Sequence, residues 1–223
     1  MAFALSQVFV ISVLDANVGN EPRAMAAWLD MPGQQAIGNC RSALENVSLH
    51  PLMGFYLLHI RNRKADANTG RIPEQNFPRE SMQLFSLGVL QFNPDGTPDV
   101  TGLSQVSTGS SYSCKAQNSR CFSNGATGGV GDPERFFKPM IAYPAFHSNE
   151  AKSFLGVTIA PQAVADPAVS LCGRWTRWPR TPTSTPFWGS RSSSAWSPAT
   201  RARPLRETWL PSSTTTAPVC AAT

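Results

Sequence analysis

The chain has 223 residues, 41% hydrophobic and 15% charged, a composition that suits one large or two small globular domains with few charges. Its net charge of +5 would favour a nucleic acid or an anionic membrane as partner. However, residues 1–171 hold 12 Lys and Arg against 13 Asp and Glu, whereas residues 172–223 hold seven Arg and one Glu. Because the positive charge lies wholly in the last quarter, we predict no nucleic-acid partner.

Apolar periodicity predicts four helices in the first sixty residues. They are expected at Ala2–Ser12, Arg23–Met31, Gln34–Leu49 and Leu52–Ile60. The first is no signal peptide, because it lacks a basic segment and a small-residue cleavage site. No segment has transmembrane length. Since the chain opens directly in apolar helix, we expect an upstream segment to be missing.

Histidines flank the last of these helices. We interpret His50 and His59 as helix-end or core histidines with satisfied hydrogen bonds, since no partner stands at metal-ligand spacing. Cys40 lies on an apolar helical face and is expected in the core. No metal site is predicted.

The stretch Arg71–Gly88 joins a polar approach to an amphipathic helix. Asn76 is predicted to cap this helix, and Glu80 stands near the positive end of its dipole. Arg79 can pair with a carboxylate from elsewhere. The apolar side comprises Met82, Leu84, Phe85 and Leu87. We favour a purely structural cap over the alternative, a polar binding site that uses Asn76 and Arg79.

Downstream, turn-rich sequence separates the remaining elements. Asp99 is expected to cap a helix at Val100–Thr108, and Ser110–Pro133 reads as a long loop. Phe136–Tyr143 and Ser153–Ile159 are expected to be extended and to pair around the turn Pro144–Glu150. The resulting fold class is mainly α: an irregular multi-helix domain with long loops and room for one small β-hairpin.

Three segments resemble the bacterial family called domain of unknown function 1800. PEQNFPRE (Pro73–Glu80), followed by MQLFSLG, is similar to that family's Pro-Asn-Glu-Asn-Tyr-Ala-Arg-Glu and its Leu/Phe-rich helix. DVTGLSQVSTG (Asp99–Gly109) and HSNEAKSFLGVTI (His147–Ile159) are similar to two further family segments. The resemblance covers nearly all of residues 1–171. It implies a mainly helical fold, and an exported or periplasmic location for the full-length protein, but no mechanism.

The sequence departs from the family pattern at several positions. Glu74 and Gln75 replace Asn and Glu, Pro78 replaces Ala, and Ser110 replaces Trp. If the first acidic residue of the motif is required chemically, this copy is impaired.

Residues 172–223 differ from the rest of the chain, with no Lys, many Ser, Thr, Pro and Arg, and five Trp. A disordered tail explains the low complexity, but such tails are poor in aromatic residues. Read one base earlier, the allowed codons permit an amphipathic helix at residues 187–200. We therefore predict two parts, a partial helical domain at 1–171 and an out-of-frame, disordered tail at 172–223. Sequencing the source DNA across residue 172 tests this hypothesis.

Few residues remain as candidates for chemistry. Cys114 and Cys121 are too far apart for a Cys-x-x-Cys motif, so a loop disulfide and two free thiols both remain open. GATGGVG (Gly125–Gly131) lacks the Lys of a phosphate-binding loop, so no cofactor is predicted. His147, with Lys152 nearby, stands in a turn. A turn-stabilising hydrogen bond is favoured there over a metal or acid–base role.

Two classes of function follow. The first is a non-catalytic, exported or envelope-associated helical domain that binds a protein or polymer partner or serves a structural role. The alternative is a hydrolase-like enzyme with Glu80, Asp99 and His147 as catalytic candidates. Asn76, Arg79 and Lys152 are the binding candidates. Convergence of Asn76, Arg79, Glu80 and His147 in one cleft would favour the enzyme.

Overall fold

The structure, a computed structural model, describes residues 2–35, 40–86, 100–127, 130–154 and 157–177. Asp99 and Leu87 fall outside these ranges. So does the predicted tail, apart from residues 172–177, which continue a helix.

The described residues form a mainly α fold, as the sequence predicts. Nine α-helices occur within them: α1 (Ala2–Val8), α2 (Ala16–Gly19), α3 (Pro22–Gln34), α4 (Cys40–Leu49), α5 (Pro51–Tyr56), α6 (Asn76–Gln83), α7 (Thr101–Val106), α8 (Ser119–Asn124) and α9 (Pro167–Arg177). The strands are β1 (Ser110–Ser111), β2 (Ala126–Thr127), β3 (Val130–Gly131), β4 (Ile141–Ala142), β5 (Lys152–Phe154) and β6 (Val157–Ile159). A 3₁₀ turn, Pro144–Phe146, precedes β5.

The strand pairing differs from the prediction. β1 pairs with β4, with Ser110 opposite Ala142, whereas β5 pairs with β6, with Phe154 opposite Val157. The two predicted extended segments therefore do not pair with each other, because each finds a different antiparallel partner. A third ladder joins β2 to β3. The prediction that Ser110–Pro133 is a long loop is also wrong, because this segment contains β1, α8, β2 and β3.

The predicted helices of the first half are present with shifted ends. Gln34 ends α3 rather than starting the next helix, because the amide of Gln35 still donates to Met31 in helical fashion. Pro22 begins α3, a position where its missing N–H costs nothing. The next helix is described from Cys40. α5 ends at Tyr56, and Leu58 then adopts a left-handed conformation with φ of 62°.

His50 lies at the start of α5 and His59 is buried in the core, the positions that the sequence predicts. His50 caps α5, its Nδ1 accepting from the amide of Leu52 at 3.2 Å, and its ring meets Trp28 edge-on. His59 lies 2.9 Å, through Nε2, from the carbonyl oxygen of Ser48, and it stacks on Phe77. These contacts tie α4, α5 and α6 together.

One main apolar core joins the N-terminal helices to α6, α7 and β5. Its buried side chains include Phe9, Trp28, Leu44, Leu52, Met53, Phe77, Phe85, Leu103 and Phe154. Gly102 lets α7 approach β5 closely, because a Cβ there would lie 1.9 Å from the carbonyl oxygen of Ser153. This contact brings the end of α7 beside the segment that carries His147.

Candidate functional site

His147 lies at the centre of a polar cluster, fully buried with 0% exposure. Its Nδ1 is 2.8 Å from the carbonyl oxygen of Thr108 and 3.0 Å from the hydroxyl oxygen of the same residue. Its Nε2 is 2.8 Å from Oγ of Ser170 on α9. Both ring nitrogens therefore have protein partners, one in the segment that follows α7 and the other on α9.

The hydrogen bonds assign the tautomer of His147. A carbonyl oxygen only accepts, so Nδ1 carries the proton and donates to Thr108. Nε2 then accepts from the Ser170 hydroxyl. The other acceptor near that hydroxyl, Oε1 of Gln162, is more distant at 3.4 Å. The resulting order, hydroxyl to imidazole to carbonyl, forms a continuous chain of hydrogen bonds.

The pKa of His147 is lowered from 6.5 to about 4, chiefly by burial. The bond to the Thr108 backbone and the charge of Asp166 raise this pKa, while the charges of Lys152 and Lys64 lower it further. At neutral pH the imidazole is therefore uncharged.

Local backbone geometry explains why His147 meets Thr108. Gly109 has φ of 74°, and a Cβ at this position would lie 2.8 Å from the Cβ of His147. The hydroxyl of Thr108 donates to Gln105 at 2.6 Å and accepts from the amide of Ser148 at 3.0 Å. Only glycine both reaches this left-handed conformation readily and leaves room for the histidine.

Lys152 belongs to the same region and is also fully buried. Its Nζ donates to the carbonyl oxygen of Glu150 at 3.1 Å. Burial lowers the pKa of Lys152, and the charge of Glu150 opposes that change. The structure therefore brings Lys152 within electrostatic range of His147, as their adjacency in sequence indicates.

The start of α6 is built differently from the prediction. Glu74 caps this helix: its Oε1 accepts from the amides of Gln75 at 2.9 Å and Asn76 at 3.1 Å. Asn76, predicted as the cap, is the first residue inside the helix. Asn62 fixes the preceding chain by accepting from the amide of Glu74 at 2.9 Å. A carboxylate two residues before the helix can reach its free amides, so the sequence contained a signal that we missed.

The candidates on α6 do not share the His147 network. Arg79 is exposed and Glu80 is partly exposed, and within the described ranges neither forms an ion pair. No hydrogen bond between described residues joins either side chain to His147. Asp99 lies outside the described residues. Instead, the partners of His147 are Thr108, which lies in the motif-like segment Asp99–Gly109, and Ser170, which the sequence analysis did not identify as a candidate.

In the described part of the chain, no three or more His, Cys, Asp or Glu side chains are grouped so that they could hold a metal ion. Likewise, none of the helices in the described ranges combines the length and apolar character that crossing a membrane requires.

Cys114 and Cys121 form a disulfide bond, which decides between the two alternatives that the sequence leaves open. The bond closes the segment before α8, and the hydroxyl of Tyr143 donates to the Tyr112 carbonyl nearby at 2.7 Å. Cys114 and Cys121 pack with Phe122 and Tyr143 in a small second core.

Comparison with known proteins identifies the family of this chain, but it gives no individual protein or solved structure that matches. A comparison with curated proteins found no match, and a comparison with solved structures found none either. The family model described as "Protein of unknown function (DUF1800)" matches residues 1–174. The matched range includes His147, Lys152, Ser170 and the whole of α6, and it covers most of the chain. The chain therefore belongs to the DUF1800 family, as its motifs predict.

Proposed function

We propose that residues 1–171 form an exported, non-catalytic helical domain that binds a partner, and that the His147 cluster holds its C-terminal elements together. One observation carries this proposal: His147 is fully buried and both of its ring nitrogens are occupied by Thr108 and Ser170. A general base must lie within hydrogen-bond reach of a substrate proton. An imidazole with no exposed atom does not meet that condition in this conformation.

The charges around the cluster support the same conclusion. With a pKa of about 4, His147 is an uncharged imidazole at neutral pH, so it does not supply the imidazolium proton of a general acid. Lys152 is also fully buried and bonded to Glu150, which favours a positioning role for its ammonium over contact with a soluble ligand. Arg79 and Glu80 remain accessible on α6 and are available to a partner.

The disulfide supports export. Structural disulfides persist in oxidising compartments and are rare in reducing ones. The Cys114–Cys121 bond therefore favours a periplasmic or extracellular location. Mass spectrometry after alkylation, without prior reduction, tests this in cells of the native host. We expect both thiols to be protected in the native protein, and alkylation of both would contradict export.

A hydrolase is the second candidate, and one observation favours it. Ser170, His147 and the Thr108 carbonyl stand in the order of nucleophile, base and orienting group, with both distances at 2.8 Å. This arrangement replaces Glu80 and Asp99 with Ser170 as the partner of His147. Ser170 is itself fully buried, so a substrate would reach it only after α9 moved.

A panel of chromogenic ester, amide and glycoside substrates separates the two proposals. Wild type, Ser170→Ala, His147→Asn and Glu80→Gln are assayed together, and circular dichroism verifies folding. We expect no turnover that depends on these residues. Turnover in wild type that Ser170→Ala abolishes in a folded protein would establish the hydrolase and overturn the non-catalytic role.

A further inference from the structure

Three arginines lie over aromatic rings and take no part in the hydrogen bonds of His147. The guanidinium of Arg61 stands 5.5 Å from the ring centre of Phe55, and that of Arg135 stands 4.1 Å from Phe136. Arg63 lies 5.0 Å from Phe146. Such contacts fix the plane of a guanidinium while leaving its N–H edge directed outward. Arg61, Arg63 and Arg135 are called the arginine surface below.

The rings beneath Arg61 and Arg135 form one continuous patch. Phe55 contacts Phe136 at 5.7 Å and Tyr112 at 6.0 Å between ring centres. Arg135 lies 6.0 Å from the same tyrosine. The charges of Arg61 and Arg135 both act on the Tyr112 hydroxyl, lowering a pKa that burial raises. The two guanidiniums therefore share one aromatic base.

Arg63 joins this patch through the end of α8. Its guanidinium lies 5.4 Å from the ring of Phe122, while Arg61 donates to the carbonyl of the next residue, Ser123, at 3.4 Å. Asn62, between the two arginines, is buried. Arg61 itself is exposed and Arg63 is partly exposed.

The described residues form no ion pair with Arg61 or Arg63, whereas the charge of Arg135 acts on the carboxylate of Asp132. The ion pairs among these residues are those of Arg71 with Asp66 and of Lys138 with Asp132 and Glu134. Arg135 instead donates to the carbonyl oxygen of Asp132 at 3.0 Å. Arg135 also makes a side-chain hydrogen bond to Tyr112, and Arg61 donates to Ser123. Because a guanidinium has five N–H donors, most of those of Arg61 and Arg63 remain for a ligand with planar anionic groups.

We propose that the arginine surface binds an acidic peptide segment of a protein partner. The inference rests on the proposed binding role and names the chemistry of the partner. Carboxylates match the planar fork of each guanidinium, and the partly buried rings of Phe55, Phe136 and Phe146 offer apolar contact between the charges.

A nucleic acid fits less well than an acidic peptide. The carboxylates of Asp132 and Glu134 lie on the same loop as Arg135, where they would repel a nucleic acid that carries a phosphate at every nucleotide, whereas a peptide can place its apolar residues beside them. Residues 1–171 hold 12 Lys and Arg against 13 Asp and Glu, so they provide no long-range attraction for a polyanion.

Fluorescence anisotropy with the full-length chain tests the proposal. The probe is a fluorescein-labelled peptide of alternating Glu and Leu, and the control is the same peptide with Gln in place of Glu. We expect the Glu peptide to bind with an affinity that falls as salt rises, and the Gln peptide to bind at least about tenfold more weakly.

Matched variants locate the binding. Arg63→Gln should weaken Glu-peptide binding about tenfold, and Arg63→Lys should weaken it less, because charge is kept while the planar fork is lost. Arg41→Gln on α4 removes the same charge at a residue that has no cation–π contact among the described residues, and it should bind like wild type. Circular dichroism verifies that each variant is folded.

Three results would overturn the inference. In the first, folded wild type does not bind the Glu peptide. In the second, Arg63→Gln binds the Glu peptide as tightly as wild type does. In the third, wild type binds a labelled oligouridylate more tightly than the Glu peptide. None of them concerns the substrate panel with Ser170→Ala and His147→Asn, so failure of this inference is distinguishable from failure of the non-catalytic role.

Discussion

The burial of two histidines predicts that the protein loses stability in mild acid. His50 and His147 both have their pKa lowered from 6.5 to about 4 by burial. In the unfolded chain each histidine binds a proton as the pH falls through its ordinary pKa of 6.5. In the folded protein each histidine stays unprotonated until the pH approaches 4. The contribution of these two histidines to the free energy of unfolding is therefore fully present above pH 6.5, and it is lost as the pH falls from 6.5 towards 4.

The size of the loss follows from the two pKa values. Between pH 7 and pH 5, one such histidine removes about 2 kcal/mol from the free energy of unfolding, so His50 and His147 together remove about 4 kcal/mol. This is a large fraction of the stability of a typical domain, roughly 5–15 kcal/mol.

Urea unfolding at several pH values measures this loss of unfolding free energy in wild type, His147→Asn and His50→Asn. Asn at position 147 keeps a donor for the Thr108 carbonyl but loses Ser170, so we expect a cost of roughly 1–3 kcal/mol at pH 7. Asn at position 50 keeps a capping group for α5. Each variant should lose only about 2 kcal/mol between pH 7 and pH 5, half of the wild-type loss. An unchanged pH dependence in His147→Asn would refute the assignment of that histidine as buried and neutral.

Three further predictions concern the local structure around the site. Glu74→Ala should lower the free energy of unfolding by about 1 kcal/mol because the cap of α6 is lost, whereas Glu80→Ala should change it by less than about 0.5 kcal/mol. Chemical denaturation of both variants measures the difference, and equal effects would exclude Glu74 as the cap. Gly109→Ala should destabilise by about 2 kcal/mol or more, because a methyl group meets His147 at a left-handed position; a melting temperature equal to that of wild type would contradict this. Cys114 and Cys121 are seven positions apart, and reducing their disulfide should lower the free energy of unfolding by about 2 kcal/mol. The measurement is the urea midpoint, which should be lower with reductant than without it. An unchanged midpoint would show that the bond does not constrain the unfolded chain.

Helices with strong apolar periodicity were predictable, and their ends were not. The apolar spacing identified α3 and α5, because the repeat of apolar residues along one helix face is a property of the local sequence. The end of α5 depends on Leu58 and Arg61, which adopt left-handed conformations although neither is glycine. Such conformations are imposed by tertiary packing, so local sequence does not reveal them.

Strand pairing was predicted least well. β1 and β4 have two residues each and lie thirty positions apart in the chain. Ladders this short carry no alternating pattern, and their register depends on neighbours such as α8 and the Cys114–Cys121 bond. The sequence therefore indicated extended chain near Ile141 but not its partner.

By itself, the sequence determined the family, the mainly helical class and the structural roles of His50 and His59, because motifs and apolar periods are properties of neighbouring residues. The candidate site was decided only by the tertiary structure. His147 meets Thr108 and Ser170 across separations of 39 and 23 positions, and no local pattern encodes such contacts. The same applies to the arginine surface, because packing of the chain places Arg61 and Arg135 over one group of aromatic rings.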